Sequence, residues 1–187
     1  RIFDAYQAGL ERLRAAGGDV SKVKAVARFF MSRIDSLVDK RLDAIGTPDA
    51  LALRGRAAVA IGKLAYQRYG EVFGAPRFAA LRAAGARPQY LLWASTSTKN
   101  PAYPDLLYVD PLIGPETVNT VPDATLAAFR DHGKVASTIG EGVAESRAAI
   151  DGLARLGVDL EAVGGQLQQE GLKQFEDAFA ALLDSVK

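Results

Sequence analysis

The sequence predicts an α/β fold with parallel strands, and three observations carry that prediction. Short apolar runs lie at residues 23–31, 89–94 and 116–121. Polar residues follow each run, and helical patterning, with apolar residues three and four apart, resumes after them. Parallel strands need a crossover, usually a helix, so strands that alternate with helices read as βα units. The chain has 187 residues, 49% of them hydrophobic, which is enough to bury a real core and within the range of one domain.

Taken in order, Ile2, Phe3, Tyr6, Leu10 and Leu13 fall on one face of a helix over 1–16, and Gly17-Gly18 ends it. Val23 to Met31 is nearly continuous apolar sequence, the pattern of a strand buried on both faces. Ser32 to Asp35 follows at once, and a helical region is expected from about Leu37 to Gly74, with Pro48 marking a helix start inside it. Leu53, Ala57, Ile61, Leu64, Val72 and Phe73 keep helical period, and Gly55 and Gly62 would let another helix approach closely. A shorter helix, Pro76 to Ala84, stops at Gly85. Gln89 to Ala94 is the second strand, followed by the polar run Ser95 to Asn100. Pro101 to Pro115 reads as loop with at most a short helix. Glu116 to Val121 is a brief β-branched third strand, and Asp123 is expected to cap a helix over Ala124 to Asp131. Glu141 to Lys187 reads as helix, broken at Gly157 and near Gly164-Gly165.

Three parallel strands leave two open edges, and a closed (β/α)₈ barrel typically needs ~250 residues. The chain also begins in helical pattern at Arg1, without an initiator Met or a capping residue. The expectation is a partial (β/α)₈ TIM barrel, its last three βα units with additional C-terminal helices. Residues 1–187 would form one C-terminal portion with no second domain, and the open edges would favour self-association.

Composition excludes several function classes. Lys and Arg number 23 and Asp and Glu 22, a net charge of +1, which argues against a nucleic-acid or membrane-surface protein. No cysteine rules out disulfides and thiolate metal sites, and His132 is the single histidine, which disfavours an imidazole metal centre or a Ser-His-Asp relay. No run reaches the ~20 apolar residues of a membrane span, and no signal-peptide pattern opens the sequence. The expected location is the cytoplasm.

In barrels the working residues sit at the C-terminal ends of strands and in the loops beyond. That rule selects Phe30-Met31-Ser32-Arg33 and Ser95-Thr96-Ser97-Thr98-Lys99-Asn100. A guanidinium, an ammonium and several hydroxyls aimed at one point suit a phosphate or sugar phosphate. Plainer readings stand beside this one. Arg33 could pair with Asp35 or Asp39 on the surface, and Lys99 could simply be solvated. A Schiff-base role for Lys99 would need burial, and nothing apolar flanks it. Trp93 and Tyr90 read as core, and His132 as a cation closing a helix.

At these residues the chain resembles a family. Residues 27–35, ARFFMSRID, and 39–42, DKRL, are similar to segments reading ASFFVSRVD and DKRL. Residues 92–105, LWASTSTKNPAYPD, and 117–122, TVNTVP, resemble LWASTSTKNPxYxD and TVNTMP. With the 54–58 RGRAA and 131–133 DHG signatures, the whole chain resembles the transaldolases, in particular the actinobacterial and cyanobacterial type, some of which are fused to glucose-6-phosphate isomerase. The resemblance implies a (β/α)₈ barrel that moves a dihydroxyacetone unit between sugar phosphates of the pentose phosphate pathway, without metal or organic cofactor. Its substrates would be fructose 6-phosphate, sedoheptulose 7-phosphate, erythrose 4-phosphate and glyceraldehyde 3-phosphate. It further implies that Arg33, Ser95 and Lys99 hold the substrate phosphate, and that Phe30, Arg28 and Thr96 line the pocket. Arg28 stands where the family usually has Ser. The matched region corresponds to strands six to eight. The Schiff-base lysine and the acid–base carboxylates therefore fall outside this sequence, and no catalytic residue is expected within it. The isolated chain is expected to be inactive without the N-terminal barrel half. The other expectation is a non-catalytic partial barrel that binds sugar phosphates or associates with itself.

Overall fold

A computed structural model describes residues 1–186 of the chain. Three strands, β1 (Val26–Phe30), β2 (Tyr90–Ala94) and β3 (Thr117–Asn119), form one sheet in the order β1-β2-β3, and both pairings are parallel. The expected α/β class with a parallel sheet is thus present. Helices α1 (Ile2–Ala15), α2 (Met31–Ile45), α3 (Pro48–Leu51), α4 (Ala57–Gly74) and α5 (Pro76–Ala83) precede β2, and α6 (Asp123–His132), α7 (Val143–Arg155) and α8 (Leu160–Ser185) follow β3. None of these helices is long and apolar enough to cross a membrane.

The core lies on one face of the sheet. Ala27, Leu91 and Trp93 point into it and meet Met31, Val38, Leu42, Phe78, Tyr108 and Leu112. Trp93 is 1% exposed, donates its indole N–H to the Leu112 carbonyl, and has Phe29 at 5.7 Å between ring centres. Phe3, Tyr69, Phe73 and Phe78 form a second aromatic cluster where α1, α4 and α5 meet. Gly62 is where α4 comes closest to its surroundings: a Cβ there would stand 2.9 Å from Leu112, so the close approach is to the segment after β2 rather than to another helix. Gly55 lies outside the helix, at φ 69°, with the Tyr103 ring packed on it.

Several expectations need correcting. β1 is not buried on both faces: Val26, Arg28 and Phe30 are exposed, and only Ala27 is buried. Successive side chains of a strand alternate, so Val26, Arg28 and Phe30 share a sheet face with Leu92 and Val118, a face exposed along β1 and at Val118 while Leu92 of the central strand is buried. Helix α2 starts at Met31 instead of near Leu37, directly from the end of β1. The apolar run continued into Met31 because that residue is a fully buried first-turn position of the helix, not the last of the strand. Asp123 makes no capping hydrogen bond. Pro122 occupies the cap position, and Asp123, in the first turn, suits the positive helix end through its charge alone. Gly142, at φ 60°, leads into α7, so residues 141 and 142 are not helical. The break at Gly157 is present at φ 78°, but α8 runs unbroken through Gly164-Gly165. Two glycines cost about 1 kcal/mol each in a helix interior, and the packing of Val163 and Leu167 on the core outweighs them. The expected helical end at Lys187 lies outside the described residues.

Beyond its first two turns α8 becomes an amphipathic surface element. Leu172, Phe175, Phe179 and Leu182 lie largely exposed at spacings of three and four, with Leu183 beside them. Gln166 and Gln174 accept from Arg41 and Arg33, so α8 runs along α2 toward the N-terminus of α2 and on past it.

Candidate functional site

The C-terminal ends of β1 and β2 are tied together by the backbone. Phe30 is in register with Ala94, and one residue further the Ser32 amide donates to the Ser95 carbonyl at 3.1 Å. Ser95 sits at φ 53°, in the left-handed region that a non-glycine residue rarely adopts. Such strain persists only where surrounding structure enforces it, and it concentrates at functional turns. Enforcement here comes from both sides: Ser32 on α2, and Thr96, whose hydroxyl bonds Asn119 Oδ1 of β3 at 3.0 Å while the residue is completely buried. The Thr120 amide adds a bond to the Trp93 carbonyl at 3.0 Å.

Helix α2 begins at this junction with no side-chain cap on Phe30. The first amides of a helix have no partner within it, and they form the positive end of its dipole. The Ser32 hydroxyl, in that first turn, is buried without a hydrogen-bond partner. With the Ser32 amide spent on the Ser95 carbonyl, the end of β1 offers the positive end of α2 and the unpartnered Ser32 hydroxyl, a setting suited to an anion.

The charged residues arrange themselves around Phe30. The Arg33 guanidinium lies 5.1 Å from the Phe30 ring centre and donates to Gln174 Oε1 at 3.2 Å. The Arg28 guanidinium lies 5.9 Å from the same ring centre. Arg33 also lines a groove of about 390 Å³ between α2 and α8, with Ser36, Leu37, Lys40, Gln166 and Gln174 among its walls. Lys99 is exposed and donates to Ser97 Oγ at 2.9 Å. Ser95 is half-buried. Phe30, Arg33 and Ser95 are thus gathered at one junction through Ser32 and the strand register. Lys99 belongs to the loop beyond, held to Ser97, and Thr96 faces inward with its hydroxyl engaged.

The surface ion pairs considered for Arg33 are not made. Asp35 and Asp39 turn inward from α2 and hold the start of α4. Asp35 Oδ1 accepts from the Ala58 amide at 2.8 Å, and Asp39 Oδ1 from the Gly55 amide at 2.9 Å. Asp39 Oδ2 accepts from the Tyr103 hydroxyl at 2.6 Å. Burial raises Asp35 to about 6, against the pull of the Ala58 amide. Burial and the Asp39 carboxylate push the Tyr103 phenol up to about 12. These contacts tie the RGRAA segment to two others: its Gly55 amide ends on Asp39 of DKRL and its Ala58 amide on Asp35, the last residue of ARFFMSRID. Arg54 meanwhile pairs with Asp43 at 3.2 Å on the outside.

His132 closes α6 between Asp131 and Asp105, each at 3.1 Å, and both carboxylates raise its pKa. Its contact with Asp105 fastens the loop after β2 to α6. Among the described residues no group of three or more His, Cys, Asp or Glu is placed to hold a metal ion.

Ser32 belongs to a cluster that the sequence selected and proves to stand in the first turn of α2, whereas Gln174 escaped the sequence reading of the site. Gln174 carried no local signal, because it reaches Arg33 across 141 residues of sequence.

Residues 2–186 match the transaldolase/fructose-6-phosphate aldolase family. A transaldolase from Thiobacillus denitrificans is 56% identical over 99% of this chain and 52% of its own length. One from Parafrankia sp. is 52% identical over 100% of this chain and 51% of its own, and one from Mycolicibacterium smegmatis is 50% identical over 100% and 50%. The chain spans about half the length of the curated relatives it matches. With the match running from the first helix to the last, the chain belongs to the transaldolase/fructose-6-phosphate aldolase family.

Proposed function

We propose that the chain supplies the phosphate-binding part of a transaldolase, and that β1 to β3 are neighbouring strands of a (β/α)₈ barrel whose interior face is the one exposed along β1. The observation that carries this reading is the β1–α2 junction, where an uncapped helix start, the unpartnered Ser32 hydroxyl and the strained Ser95 converge beside Arg33. In this reading Arg33, Ser95 and Lys99 hold the phosphate of a ketose such as fructose 6-phosphate or sedoheptulose 7-phosphate. Phe30 forms the pocket wall, and Thr96 fixes the loop. Lys99 contributes a compact charge that must swing from Ser97.

The reaction is the transfer of a dihydroxyacetone unit to erythrose 4-phosphate or glyceraldehyde 3-phosphate, a step of the pentose phosphate pathway in the cytoplasm. A lysine outside this chain adds to the ketose carbonyl and water leaves, giving an iminium. A carboxylate, also outside the chain, takes the hydroxyl proton through water. The electron pair of the breaking C–C bond flows into the iminium, and the aldose departs. This chain alone then binds sugar phosphate without turnover.

Titration calorimetry with fructose 6-phosphate at low salt tests the binding role. Arg33→Ala is expected to weaken binding by roughly tenfold to a hundredfold, the scale of one or two charge-assisted contacts. Unchanged affinity in that variant would remove Arg33 from the site.

The second reading, a self-associating partial barrel without catalysis, is favoured by the exposed stripe on α8 and the sheet face exposed along β1. Light scattering separates it, since association that proceeds without loss of sugar-phosphate binding would support it.

A further inference from the structure

Arg28 is the one residue of the sheet face exposed along β1 that carries a full charge, between Val26 and Phe30 and in register with Leu92. Among the described residues it has no hydrogen bond or ion pair, and its only partner is the Phe30 ring at 5.9 Å. Arg33 approaches that same ring from the helix side at 5.1 Å. Phe30 is therefore flanked by two guanidinium groups, one at the rim and one deeper along the strand. The residues that share the face, Val26, Phe30, Tyr90, Leu92, Ala94 and Val118, bring no carboxylate, so among the described residues Arg28 has no anionic partner and an anion brought by a ligand would be its natural one.

Resting on the phosphate-site reading above, we propose that Arg28 makes this site selective for ketoses with an anionic group at both ends, such as a ketose bisphosphate, over the monophosphate. With one phosphate at the α2 start, an open-chain sugar laid down β1 would bring its far end toward Arg28. Arg28 lies two residues back from Phe30 along the strand, roughly 7 Å at the usual rise. The guanidinium offers paired donors that match a phosphate, and the apolar surroundings strengthen the attraction.

Titration calorimetry at low salt with fructose 1,6-bisphosphate and fructose 6-phosphate tests this. The chain is expected to bind the bisphosphate about tenfold more tightly, the effect of one further charge-assisted contact. Arg28→Gln should bring the ratio of the two affinities to within about threefold, and Arg28→Glu should reverse it. Lys22→Gln, in the turn before β1 and paired with Asp19, should leave the ratio as it was. Equal affinities for the two sugars in the unaltered chain, or a preference that survives in Arg28→Gln, would overturn the selectivity while leaving the phosphate site standing. Binding of neither sugar would overturn both.

Discussion

Asp39→Ala is expected to destabilise the chain by roughly 2–5 kcal/mol, because it strands two donors at once. The Gly55 amide and the Tyr103 hydroxyl both end on this carboxylate, which is 8% exposed. The Gly55 amide cannot turn to water, because Gly55 is buried and pinned at φ 69° under the Tyr103 ring, which sits 2.9 Å from where its Cβ would be. The loss propagates to the start of α4 and to the loop after β2, which the Tyr103 hydroxyl anchors. Urea denaturation of the variant reads the effect as a lower midpoint with an unchanged slope. Asp43→Ala is the control. Its pair with Arg54 is partly exposed on both sides, so less than about 1 kcal/mol should be lost. Equal effects in the two variants would show that the buried contacts of Asp39 do not hold the helix start.

Asp35→Asn should stabilise the chain at pH 8 by about 1–3 kcal/mol and do nothing at pH 3.5. Burial raises this carboxyl from 3.8 to about 6, so the folded state holds the proton more tightly than the unfolded chain does. The stability contributed by the protonated form is fully present below the unfolded value of 3.8 and is lost as pH rises through about 6. A shift of about two units corresponds to roughly 3 kcal/mol, reduced because asparagine is a weaker acceptor for the Ala58 amide. Urea titrations of both proteins from pH 3.5 to 8 should give curves that diverge between pH 4 and 6, with the variant above. Parallel curves would mean that Asp35 is ionised at little cost.

How much of this was readable beforehand depended on how local the determining contacts are. β2 was legible as Gln89 to Ala94 because it is the central strand, buried from Leu91 to Ala94, and continuous apolar sequence is what such a strand requires. β1 falls inside the expected run of 23–31 but is shorter, Val26–Phe30, and was given the wrong environment. An apolar run cannot say that one face is exposed, nor that its last member, Met31, already belongs to a helix. The Gly164-Gly165 pair misled for a related reason. A helix is broken by propensity only when packing does not decide, and Val163 and Leu167 decide here. Asp123 has the right chemistry for a cap but stands one position too late, behind Pro122.

Strand ends and polar loops pointed to the residues of the candidate site, while their mutual placement stayed hidden. Nothing in residues 94–100 announces that Ser95 adopts a left-handed conformation, because Ser32 and Asn119, 63 and 24 positions away, impose it. The inward turn of Asp35 and Asp39 was equally invisible. Helical period puts them on one face, but only the fold shows that this face meets the amides of Gly55 and Ala58. Arg28 was visible only as a departure from the Ser usual in the family, and its shared ring with Arg33 was not.

The central claim is that this chain binds the sugar phosphate while the covalent chemistry resides in the half of its relatives' length that it does not span. Borohydride trapping with fructose 6-phosphate, read by intact mass, tests it most directly. The chain would be treated alone, and again after mixing with the complementary half of the Thiobacillus denitrificans relative. The account predicts no adduct on this chain in either sample and a three-carbon adduct on the complementary half in the mixture. An adduct on this chain, with Lys99 the first candidate as an exposed lysine beside the site, would contradict the division of roles.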